Sequence, residues 1–213
     1  MFPSRASRRR TTPSRPAVRR TSRTTLLAAG AAAAAVALTA CQSGGTSGGS
    51  SDTKFVTGIG GIDTVKTADR KPLPGISGTT LEGKPLDLAD YKGKIVVINV
   101  WGSWCAPCRA EMKHLVKVAN ATKPDGVEFV GINTRDPNKP PAQKFEKEYD
   151  VPYPSLYDPM GKLMLRFPPG SLNPKAIPST VIVDREGRIA ARALKPLNEK
   201  DLTKTLDPLI AEK

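Results

Sequence analysis

Two cysteines, two residues apart, sit where an apolar run gives way to a helical pattern, and this constrains the chain more than any other feature. Residues 94–100 read KIVVINV, rich in β-branched side chains, which predicts a strand buried on both faces. Residues 107–120 predict a helix with Met112, Leu115, Val116 and Ala119 on one face. Between them lies Cys105-Ala106-Pro107-Cys108. The first turn of a helix leaves backbone N–H groups unpaired and carries a positive partial charge. A thiolate at Cys105 is stabilised there. An unperturbed cysteine, with a pKa of about 8.5, is only about 3% thiolate at pH 7; lowering the pKa to about 7 makes it half thiolate, for roughly 2 kcal/mol. One helical turn also brings the two sulfurs within bridging distance. Cys108 can then attack a mixed disulfide on Cys105 without leaving its place. Pro107 at the helix start sacrifices no hydrogen bond and stiffens the turn.

Other uses of the pair are weaker. A CxxC can be half of a zinc site, but no second CxxC exists and His114 is the only histidine. No metal or cofactor is therefore expected. A purely structural bridge across two residues closes a loop too small to restrain the unfolded chain much.

The chain carries a formal net charge of +13, of which eight charges are arginines in the first forty residues, leaving +5 for the remainder. That balance does not mark a nucleic-acid protein. The arginines precede residues 26–38, LLAAGAAAAAVAL, an uncharged run about 20 Å long as a helix against the roughly 30 Å of a bilayer core. A basic start, a short apolar run and small residues make an export signal over residues 1–40. The run ends Leu38-Thr39-Ala40-Cys41, which resembles the lipobox of bacterial lipoproteins. The resemblance implies cleavage before Cys41 and its lipidation, anchoring the protein on the extracytoplasmic face of the cell membrane. Arg19-Arg20 leaves the twin-arginine and general export routes both open. Residues 41–70 are expected to be a flexible Gly/Ser-rich tether, with little pattern beyond residue 52.

The folded domain is expected over residues 71–213. Residues 76–88 predict a hairpin turning at Glu82-Gly83-Lys84. Residues 127–133 (VEFVGIN) predict a second buried strand, residues 141–149 a helix, and residues 158–167 a short helix. Residues 180–184 and 189–194 predict a second hairpin. Residues 198–211 predict a closing helix with Asn198 as N-cap and Leu202, Leu206 and Ile210 on one face, kinked or shortened by Pro208. The order favours an α/β domain with a central mixed β-sheet flanked by helices and an N-terminal β-hairpin extension.

The segment Val100-Trp101-Gly102-Ser103-Trp104-Cys105-Ala106-Pro107-Cys108-Arg109 resembles the active-site stretch of thioredoxin-like proteins, nearest to the TlpA/ResA-like, redoxin/AhpC-TSA-like extracytoplasmic reductases. The resemblance covers roughly residues 71–213. It implies a thioredoxin-like fold and a cis-proline loop facing the dithiol, matched by Ile177-Pro178-Ser179-Thr180. Ile177 would then offer backbone groups to an extended substrate, Pro178 would lie against the sulfurs, and Trp104 would shield them. Where cytoplasmic thioredoxins carry an acid in the strand, this chain has Asn99. The nearer family carries a glutamate three residues after the second cysteine, and Glu111 stands there. Glu111 shares a helical face with Cys108 and, if buried, can accept its proton; a solvated Glu111 is the alternative. Residues 167–176 look like an insertion before the proline loop.

The resemblance implies protein disulfide substrates, such as the haem-site cysteines of apocytochrome c, and a membrane electron donor. The opposite direction, a disulfide-forming oxidase, stays open. A thiol peroxidase is disfavoured, because Ile98 and Gly102 stand where that chemistry needs proline and threonine.

Overall fold

The computed structural model describes residues 53–212. Nine strands occur among them: β1 (Val56–Thr57), β2 (Asp63–Thr64), β3 (Ser77–Thr79), β4 (Pro85–Asp87), β5 (Ile95–Trp101), β6 (Val127–Thr134), β7 (Ser155–Asp158), β8 (Ser179–Val183) and β9 (Ile189–Ala193). Three α-helices accompany them: α1 (Ala106–Thr122), α2 (Lys139–Glu148) and α3 (Glu199–Ala211). Seven strands form one mixed sheet in the order β1-β2-β9-β8-β5-β6-β7, and β3 and β4 pair separately as the expected hairpin.

All seven residues of β5 are buried, and their alternation divides the core. Ile95, Val97 and Trp101 face one cluster, which also takes Met112, Leu115 and Ala119 of α1 and Leu202, Leu206 and Leu209 of α3. Val96, Ile98 and Val100 face the other, beneath Ile76, Met164, Phe167 and Leu172. Side chains two apart on a strand share a face, so Asn99 is turned toward α1. β5 runs parallel to β6, which runs parallel to β7, while β8 is antiparallel to β5. Trp101 pairs with Asn133, Thr134 with Asp158 and Val100 with Ser179. The segments leaving β5, β6 and β7 and the segment entering β8 therefore gather beyond the same end of the strands.

The structure corrects four expectations. Residues 53–70, expected to be loose tether, carry β1 and β2, and β2 pairs with β9. Ile62 and Val65 are buried, and apolar burial explains the order that a Gly-interrupted pattern concealed. Residues 158–167 were expected to be helical. Instead Asp158 ends strand β7, and only Met164–Arg166 forms a single 3-10 turn. The Asp158 carboxylate caps this corner by accepting from the N–H groups of Lys162 and Leu163 at 2.8 Å each. Finally, Pro208 does not stop α3, which runs on to Ala211. Burial of Leu206 and Leu209 on either side of the proline holds the last turn against the sheet. Ile210, placed on the buried face from sequence, is only half-buried. The export signal, the Gly/Ser stretch through residue 52 and Cys41 lie outside the described residues.

Candidate active site

Cys105 is the N-cap of α1, and Ala106-Pro107 opens the helix. Its Sγ accepts a hydrogen bond from the Cys108 N–H at 3.2 Å, the bond by which a side chain satisfies a free donor of the first turn. The same N–H would stabilise a thiolate. The two sulfurs form a disulfide, with the Cα atoms 5.3 Å apart. Cys105 is 4% exposed and Cys108 fully buried, so Cys105 is the more open of the two.

The Ile177–Pro178 peptide bond is cis. The Ile177 carbonyl oxygen lies 3.8 Å from Cys105 Sγ, so the proline loop and the dithiol are in van der Waals contact. Ile177 is half-buried and packs against both core clusters. Trp104 is 52% exposed beside the cysteines, whereas Trp101 is fully buried and stacks on Phe145 with ring centroids 4.6 Å apart. His114 is exposed on α1.

Glu111 is 1% exposed, which removes the solvated alternative. One carboxylate oxygen accepts from Asn99 Nδ2 at 2.9 Å and the other from the Leu197 N–H at 2.8 Å. Burial, partly opposed by these two hydrogen bonds, raises its pKa from 4.5 to about 7. Asn99 also donates to Thr180 Oγ1 at 3.1 Å, tying Glu111 to the strand that follows the proline loop. The Asn99 Oδ1 atom is buried without a partner. A carboxyl group that is half-protonated near neutral pH can give or take a proton one helical turn beyond Cys108.

Sequence reasoning overlooked a second acid. Asp136, 2% exposed, accepts from the Ser103 N–H, the Ser103 hydroxyl and Asn133 Nδ2 at 2.9, 2.5 and 2.7 Å. A single acid in the loop after a strand leaves no periodic mark, and only its position after the apolar run of β6 could have drawn notice.

Comparison with known proteins shows which family the chain belongs to. The AhpC/TSA family model matches residues 70–192. The thiol:disulfide interchange protein HelX of Rhodobacter capsulatus is 42% identical over 127 residues, covering 59% of this chain and 65% of HelX, just under two thirds of that relative. ResA, a thiol-disulfide oxidoreductase of Bacillus cereus, is 30% identical over 140 residues, covering 66% of this chain and 78% of ResA. A DsbF homologue of Corynebacterium diphtheriae superposes with a TM-score of 0.65 at 38% identity, covering 73% of this chain and 99% of that one. A secreted disulfide oxidoreductase of Mycobacterium tuberculosis superposes with a TM-score of 0.54 at 29% identity, covering 62% and 94%. The chain belongs to the AhpC/TSA family and, with these relatives, to the thiol–disulfide oxidoreductases of thioredoxin-like fold.

Proposed function

We propose that this protein is a lipid-anchored extracytoplasmic reductase of disulfides in exported proteins. The observation that supports it best is the placement of the more open sulfur, Cys105, as the N-cap of α1 and opposite the Ile177 carbonyl. In the reduced enzyme the Cys105 thiolate attacks one sulfur of a substrate disulfide. The substrate S–S bond breaks, one substrate cysteine leaves as thiolate, and a mixed disulfide forms. Cys108 gives its proton to Glu111 and attacks Cys105, releasing the second substrate cysteine. The substrate gains two electrons and the enzyme is left with the Cys105–Cys108 bridge. A membrane electron donor of the dithiol type restores the thiols by the same exchange. The Ile177 and Pro178 backbone aligns an extended substrate strand, and Trp104 covers the mixed disulfide.

The direction is tested by the reduction potential of the pair, equilibrated against glutathione. A value of roughly −250 mV or lower fits a reductase; one near about −120 mV makes the protein a disulfide-forming oxidase instead. Trapping with Cys108→Ala in cells identifies the substrate, and the haem-site cysteines of apocytochrome c are the partner to examine first. Metabolic labelling with a radioactive fatty acid is expected to mark the parent protein and not Cys41→Ala; a parent that takes up no label would overturn the anchor.

A further inference from the structure

We infer that Asp136 is a positioning residue for the exchange reaction, holding the turn that presents Cys105. The segment 102–104 between β5 and α1 has no strand partner of its own. Its middle residue, Ser103, is held instead by one carboxylate. Asp136 Oδ2 accepts from the Ser103 N–H and from Asn133, and Oδ1 accepts from the Ser103 hydroxyl. Charge-assisted bonds of this kind are stronger than neutral ones. The backbone at Asp136 is itself anchored, because the Tyr157 hydroxyl donates to the Asp136 main-chain carbonyl at 3.0 Å and so ties the corner to β7. Ser103 lies two residues before Cys105, whose N–H donates back to Gly102 at 3.1 Å.

The neighbouring residue reaches the other half of the site. Arg135 takes a left-handed backbone conformation, with φ of 58°, that is uncommon for a side chain of its size. Its guanidinium donates to the carbonyl of Pro174, in the insertion that leads into Ile177–Pro178. One dipeptide at the end of β6 therefore touches both the nucleophile turn and the segment carrying the proline loop. Displacing a reacting group by about 1 Å can slow a reaction by about a hundredfold, so a loosened turn should show in turnover before it shows in stability.

The inference rests on the reading of Cys105 as the attacking thiol, and Cys105→Ser tests that separately. The experiment measures kcat and KM for insulin disulfide reduction in Asp136→Ala, Asp136→Asn and Ser103→Ala, with thermal melting of each. Asp136→Ala is expected to lower kcat about tenfold and leave KM within about twofold. Asp136→Asn should stay within about threefold of the parent, because its carboxamide oxygen accepts from the Ser103 N–H and its NH2 donates to the Ser103 hydroxyl. Ser103→Ala, which leaves the other two donors in place, should slow turnover about threefold. A folded Asp136→Ala that turns over like the parent overturns the inference. So does an Asp136→Asn as slow as the alanine variant, since charge rather than position would then be responsible. If Asp136→Ala fails to fold, an unchanged kcat in Ser103→Ala overturns it. Turnover persisting in Cys105→Ser would sink the underlying reading instead.

Discussion

Glu111 shows how one residue's role depends on its surroundings. Its spacing from Cys108 was visible in the sequence, but its burial and its two donors were not, since Leu197 lies 86 residues away. Because burial raises its pKa to about 7, the folded chain holds a proton that the unfolded chain has lost between about pH 4.5 and 7. Its stabilising contribution is therefore complete below pH 4.5 and falls by about 3 kcal/mol as the pH rises through 7. Glu111→Gln, neutral at every pH, should flatten denaturant-derived stability across this range. Some slope should remain, because burial also raises Glu146 to about 7. Glutamine fits the site: its oxygen accepts from Leu197, and its NH2 can donate to Asn99 Oδ1 once that amide turns over. The same variant should slow disulfide exchange at pH 7 at least about tenfold and remove the inflection near pH 7 from the rate profile. An unaltered profile would show that Glu111 carries no proton in the reaction.

The elements that position the dithiol obey local rules wherever a single periodicity runs long enough. β5, β6, α1 and α3 were legible within a residue or two, the strands as largely apolar runs buried on both faces and the helices by apolar residues at spacings of three and four. β7 was not legible, for it is four residues long and preceded by Pro152 and Pro154. Its existence depends on β6, where Gly131 pairs with Ser155. A Cβ at Gly131 would stand 2.0 Å from Ser155 Oγ and 2.7 Å from Trp101 Nε1. Gly131→Ala should therefore force the two strands apart and lower stability by about 3 kcal/mol, with Ser155→Gly in the same chain recovering part of the loss in urea melts. At the helix layer, Phe145 of α2 stacks on Trp101 and lies beneath the Arg109 guanidinium, 5.4 Å from its ring centroid. Phe145→Ala should cost about 3–5 kcal/mol. The potential of the Cys105–Cys108 pair should change little, because the bond from the Cys108 N–H to Cys105 Sγ does not involve Phe145.

At the scale of the whole described molecule, residues 53–70 are bolted to the far end of the chain. The Arg70 guanidinium bonds Glu212 at 2.6 and 2.7 Å and Asp184 at 3.1 Å, and Arg70 Nε reaches the Val65 carbonyl. Asp184 keeps Arg188 at 2.9 Å if Arg70 is removed, so Arg70→Met should destabilise the fold by about 3 kcal/mol, the low end for breaking a buried pair. A chain beginning at residue 71 should lose more, since Ile62 and Val65 leave the core as well. Equal melting temperatures for the two chains would show that β1 and β2 contribute nothing. Local pattern alone revealed the reactive pair and its immediate frame: a dithiol at a strand–helix junction, the strands that are unbroken apolar runs, and the helices with a sustained apolar face. Those features rest on contacts between residues close in the chain. The burial of Glu111, the grip of Asp136 on Ser103, the formation of β7 and the membership of residues 53–70 in the fold emerged from long-range packing. Each of these depends on partners separated by tens of residues, whose meeting no local pattern records.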